Sequence, residues 1–271
     1  MAALRISEIY IYPIKSLGGI SLQQAQVEER GFRHDRRWML IDAANNFLTQ
    51  RQHAHMALLQ VALQPDGLEV RHKHGLLGPL FVPFGQTEGP ELQVRIWDDT
   101  CTALEVSPAI SAWFAEALQM PARLVYMPPT SERKVDPTYA QQDEIVGFAD
   151  GYPFLLIGQA SLDDLNSRLQ APVPMNRFRP NLVFTGGAPF AEDSFGHFQV
   201  SQTRFRAAKP CGRCVVTTID QGSGQKGAEP LKTLSTYRLV NNKVMFGQNL
   251  VHDGAGQLQV GDELVVQEWR P

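Results

Sequence analysis

Turn signals recur so closely along this 271-residue chain that most of it has room only for short strands. Ile6–Tyr12 is a largely apolar run with loose alternation, the pattern of a strand buried on both faces. Trp38–Asp42 and Phe47–Gln50 flank Ala43-Ala44-Asn45-Asn46, whose asparagines suit left-handed turn positions. Leu58–Leu63 and Leu68–Arg71 flank Pro65-Asp66-Gly67 as a second hairpin, and Leu258–Val266 reads as strand, turn, strand. Two helices interrupt this rhythm. Ser107 caps one that starts at Pro108, with Ile110, Trp113, Phe114 and Ala117 on one face up to Leu118. Ser161 is expected to cap the other, Leu162–Leu169, through a stripe of Leu162, Leu165 and Leu169. Pro128–Val146, charged and rich in prolines at its start, reads as a mobile loop. Many strands and few helices predict an α+β, mainly β fold, with β-barrel-like domains and helices packed outside.

Three cysteines occur, and two lie together in Lys209-Pro210-Cys211-Gly212-Arg213-Cys214, ahead of Val215-Val216-Thr217-Thr218. The β-branched run predicts a strand, with the thiols presented at its start. A thiolate is a strong nucleophile and a soft metal ligand, favoured beside the positive charge that Lys209 and Arg213 supply. A structural zinc site needs four ligands, and only the distant Cys101 is left. A thioredoxin-like dithiol opens a helix, which this segment does not predict. There remain one thiolate holding a soft transition metal among cations that suit an anionic cofactor, and a pair of inert buried cysteines. Lys, Pro, Gly and Arg as immediate neighbours fit the second poorly.

The segments around that pair resemble the MOSC domain, the molybdenum-cofactor domain of the mitochondrial amidoxime-reducing component and its bacterial relatives. The matching stretches are Lys209–Asp220, Gly227–Leu234, Tyr237-Arg238 and Phe246–Leu250, with Tyr12–Ser16, Asp35–Trp38, Ser161–Asn166 and Asn176–Asn181 upstream in order. The resemblance implies an N-terminal MOSC-associated β-barrel-like domain over about 1–120, whose first strand may join the second domain, and a MOSC domain over 121–271. It implies that Lys15, Ser16, Arg36, Arg179, Gly212, Arg213 and Asn249 contact the pyranopterin or its phosphate, and that Cys214 binds molybdenum while Cys211 does not. Around Ala149-Asp150-Gly151-Tyr152 the family has an acidic residue followed by small hydroxylated ones. Ala149, Asp150 and Tyr152 are therefore further cofactor contacts, although Gly151 and Tyr152 depart from that pattern. Asp150 is the candidate proton donor, against a plain turn-forming role ahead of Gly151. Taken singly, arginines such as Arg36, Arg177 and Arg179 read as surface charges. Two-electron reduction of N-hydroxylated compounds (amidoximes, hydroxylamines, N-hydroxylated nucleobases) is the implied activity, with Mo-molybdopterin as cofactor. The alternatives are a carrier of the cofactor or of a persulfide on Cys214, and a dithiol oxidoreductase.

Some relatives carry a fused ferredoxin, and this sequence shows no such cysteine set, so a separate flavoprotein or iron–sulfur donor is expected. A net charge of −3 gives no support for a nucleic-acid or membrane-surface partner. The start lacks a signal peptide, and the few cysteines suit a reducing cytoplasm. His53/His55 and His72/His74 read as exposed histidines without ligand support.

Overall fold

The computed structural model describes residues 3–85 and 87–270. It is an α+β protein dominated by sheet, as the turn rhythm predicts. The largest sheet has nine strands and collects segments from both ends of the chain. Its central strands are Thr203–Gly212, Lys243–Asp253, Phe154–Gly158 and Leu182–Thr185, with Arg5–Ile11 next to the last of these. Phe154–Gly158 runs parallel to Leu182–Thr185, and the helix Gln159–Arg168 lies between them in sequence. Alternation along Phe154–Gly158 feeds two cores: Phe154 and Leu156 face one, Leu155 and Ile157 the other.

The second part contains a four-stranded sheet of Trp38–Ile41, Arg123–Tyr126, Asp99–Glu105 and Glu91–Ile96. A three-stranded sheet contains the hairpin Leu59–Gln64/Gly67–His72. Helix Pro108–Leu118 buries Ile110, Phe114 and Leu118, and Ser107 Oγ accepts from Ile110 N. The two parts interleave. Arg5–Ile11 belongs to the large sheet and Gln24–Glu28 pairs with Gly256–Gln259, whereas Arg123–Tyr126 completes the four-stranded sheet. The boundary after residue 120 thus stands as a proposal about sequence units, with sheets that share strands across it.

Local expectations differ from the structure in four places. Val215–Thr218 is a short 3-10 turn, and the strand lies before the cysteines, so the thiols sit at a strand's end. Strand propensity yields here because the Cys214 carbonyl accepts from Thr217 N and Oγ1, closing the turn. Ser161 does not cap its helix. It lies inside, fully buried, donating to Glu192 Oε2 and accepting from Phe190 N. His72 is buried rather than exposed, its Nδ1 accepting from His74 N. The 128–146 segment is irregular as expected, but it is pinned by the buried Arg133 and Val135.

Candidate functional site

One cavity opens where the two parts meet, and Lys15, Ser16, Arg36, Ala149, Asp150, Tyr152, Arg179, Gly212, Arg213, Cys214 and Asn249 all border it. Cys211 borders it as well. All three cysteines are free thiols. No group of three or more His, Cys, Asp or Glu among the described residues could hold a metal, and the sulfurs of Cys211 and Cys214 are the thiols that border the cavity.

The chain bends sharply after its first strand to place Lys15 and Ser16. Lys15 N donates to Trp38 O at 2.8 Å, and the buried Gln50 donates through Nε2 to Ser16 O at 2.6 Å. Ser16, Arg36 and Arg179 all have positive φ, at 68°, 48° and 56°. Side chains other than glycine rarely sit there, and such strain collects where a site needs a particular direction. Surrounding bonds fix each position. Arg36 N donates to Tyr12 O, and Arg36 O accepts from Phe148 N at 2.7 Å. Gly147 permits that approach, since a β-carbon there would lie 2.7 Å from Arg36 O.

Two guanidiniums converge on the buried Tyr12 ring, Arg36 at 4.3 Å and Arg179 at 4.2 Å from its centroid. Arg36 also donates to Asp35 Oδ2 at 2.6 Å and to Asn181 Oδ1 at 3.0 Å, and Arg179 donates to Leu17 O. Burial lowers Arg179 to about 10, which leaves it charged at neutral pH. Each sulfur has its own arginine. Arg213 Nη1 lies 3.0 Å from Cys211 Sγ, and Arg51 Nε lies 3.2 Å from Cys214 Sγ.

Asp150 is held by three side chains. Lys15 Nζ donates to its Oδ1 at 2.6 Å, Arg51 to Oδ2 at 3.3 Å and Trp97 Nε1 to Oδ1 at 3.3 Å. Enclosure in the cavity would raise this carboxyl, but Lys15 and Arg51 outweigh it and hold it well below the usual carboxylate range. Its side chain is still 62% accessible, so it faces the cavity space. Lys15 moves the other way: burial lowers its ammonium from 10.5 to about 8, partly offset by Asp150. At neutral pH the proton of this pair therefore sits on Lys15 Nζ. In these bonds the Asp150 carboxylate is the acceptor.

Arg51, Trp97 and Arg133 are absent from the sequence-based set. Arg51 follows Thr49 and the buried Gln50, a polar run closing an apolar hairpin strand, and that mismatch was a usable signal. Arg133 gave none, being one charge in a proline-rich loop. Its guanidinium donates to the carbonyls of Gly147, Ala149 and Asp150 and pairs with Asp99 Oδ2 at 2.6 Å, fixing the backbone that carries Asp150. Arg133→Met should cost about 3 kcal/mol, as expected for buried carbonyls left without donors. A thermal shift measurement checks it; an unchanged midpoint would show that these bonds are not needed.

The lining carries five cations, Lys15, Arg36, Arg51, Arg179 and Arg213, against one carboxylate. Tyr152 Oη and Arg213 Nε are buried without a protein partner. That donor set fits a phosphate-bearing pterin whose metal takes one thiolate. Lys15, Arg36, Arg179 and Arg213 offer cationic donors to the cavity, and Asn249 offers an amide.

The sequence matches the MOSC N-terminal beta barrel domain over residues 3–121 and the MOSC domain over 143–265. It is 32% identical to mouse mitochondrial amidoxime-reducing component 1, over 95% of this chain and 80% of that protein. It is 31% identical to rat mitochondrial amidoxime reducing component 2, over 95% and 81%. Rice molybdenum cofactor sulfurase is 28% identical over 90% of this chain, which spans 32% of that protein. No helix among the described residues is long and apolar enough to cross a membrane. With its thiol and its ring of cations in one cavity, the chain belongs to the MOSC-domain family that includes the mitochondrial amidoxime-reducing components.

Proposed function

We propose that this protein is a molybdenum-cofactor-dependent reductase of N-hydroxylated compounds such as amidoximes, hydroxylamines and N-hydroxylated nucleobases. The observation that carries this is a cavity lined by five cations and bordered by two free thiols, of which the family resemblance points to Cys214. Bound there, the cofactor would supply a two-electron couple for cleaving an N–O bond. Cys214 would hold the metal, Lys15, Arg36, Arg179 and Arg213 the anionic groups, and Ser16, Ala149, Tyr152, Gly212 and Asn249 the remaining edge.

Reduction of an N–O bond also consumes two protons, of which this chain would position one and solvent would supply the other. Lys15 Nζ, held 2.6 Å from Asp150 and buried to a value of about 8, is the group charged for that task. Asp150 stays ionised and orients the ammonium, and the proton that Lys15 gives up is replaced from solvent. Electrons come from a separate flavoprotein or iron–sulfur protein, and three free cysteines suit a reducing cytoplasm.

The test is elemental and kinetic. Purified protein should contain molybdenum in stoichiometric amount and reduce benzamidoxime with an artificial electron donor. Arg179→Ala and Lys15→Ala should each lower molybdenum content, since each removes a charge-assisted contact worth about 1.5–3 kcal/mol. Absence of molybdenum would sink the reading. Molybdenum without turnover would favour a carrier, in keeping with the similarity to molybdenum cofactor sulfurase.

A further inference from the structure

A second cavity, of about 680 Å³, adjoins the first and shares Thr49 and Arg51 with it. Its walls include Phe47, Trp97 and Met120, with Asp98 at its border. Arg51 borders this groove and also meets the Cys214 sulfur, its Nε lying 3.2 Å away. Trp97 stands out here for its backbone. It occupies the two-residue tip between Ile96 and Asp99, at φ 55°, where glycine or asparagine is the usual occupant. The residue is only partly buried, with 37% of its surface exposed.

The ring is nevertheless held from three sides. Phe47 meets it edge-on with centroids 4.7 Å apart, Arg51 lies 4.1 Å from its centroid, and its Nε1–H donates to Asp150. A half-open indole, kept in a strained conformation at the groove's wall and held by groups that border the thiol, points to a role beyond core packing. We propose that this groove seats the aromatic group of the substrate, with Trp97 as the ring that stacks on it. The site then selects flat aryl amidoximes and N-hydroxylated bases over small aliphatic ones, with the N–O group reaching past Arg51 toward Cys214. This deepens the reductase reading and rests on it.

Equilibrium binding separates the two claims. Benzamidine, a product-like ligand that cannot be reduced, should bind more tightly than acetamidine in calorimetry with the full chain. Trp97→Gly, which accepts the left-handed backbone, should weaken benzamidine roughly three- to tenfold, the usual worth of one aromatic stack. Trp97→Phe, which keeps a ring but loses the bond to Asp150, should retain most of the preference. The ratio of kcat/KM for benzamidoxime over acetamidoxime should fall by the same factor in Trp97→Gly. Unchanged benzamidine affinity and an unchanged ratio would overturn the proposal, as would equal losses on both substrates. If wild-type protein reduces neither amidoxime, the reductase reading fails, while benzamidine binding still reports on the groove.

Discussion

Cys214→Ser is expected to abolish amidoxime reduction, and Cys211→Ser to leave most of it. Both sulfurs border the cavity, so position alone does not separate them. Their neighbours differ, however. Cys211 packs against the Leu155 and Phe246 core and takes Arg213 Nη1, while Nη2 of the same guanidinium donates to Phe178 O. Cys214 heads the 3-10 turn and faces Arg51, which is anchored on Asp150 and Trp97. A serine oxygen is a harder and much less acidic ligand, so it cannot replace a thiolate on a soft metal. Molybdenum content and the thiolate character of the molybdenum(V) paramagnetic signal provide readouts beside turnover. Equal loss in the two variants would favour a dithiol mechanism.

Asp150→Asn should lower turnover at neutral pH, because Lys15 then holds its proton less firmly, by less than the about 10²–10⁴-fold that loss of a positioned acid–base group itself costs. It should keep its molybdenum, because an amide fills the same space. The pH profile identifies which member of the pair carries the proton. Lys15 sits at about 8, so activity should fall as pH rises through that value. Asp150 raises Lys15, while burial and the facing Arg133 and Arg36 lower it, so removing the carboxylate must shift this alkaline limb to lower pH. Stopped-flow reoxidation of pre-reduced enzyme by substrate avoids a slow external donor. An alkaline limb that stays in place in Asp150→Asn would remove Lys15 from the proton path.

Stability provides a reading free of turnover. The folded-state value of Lys15 is depressed, so between about 8 and 10.5 the unfolded chain binds more protons than the folded one. The Lys15 contribution therefore makes the protein more stable as pH rises through that window. Lys15→Met should flatten the slope.

What the sequence determined by itself was local or chemical. Pro108 with Ser107 and the Pro65-Asp66-Gly67 turn act within a few residues, so the helix and the hairpin were legible without knowledge of the rest. The cysteine pair and its flanking cations were legible because their chemistry is rare. Tertiary structure decided where strand propensity yields, as at Val215–Thr218, and which charges are surface and which are functional. Arg36 and Arg179 become partners only because Tyr12 lies between them, 24 and 167 residues from each in a chain folded so that its ends share one sheet. Arg51 and Trp97 gain meaning only when two hairpins bring them against Asp150, and the charge state of Lys15 only when burial is known. The physical reason is range. Turn and capping energies act over a few residues and are written in order along the chain, whereas desolvation and charge pairing depend on neighbours that sequence order does not name.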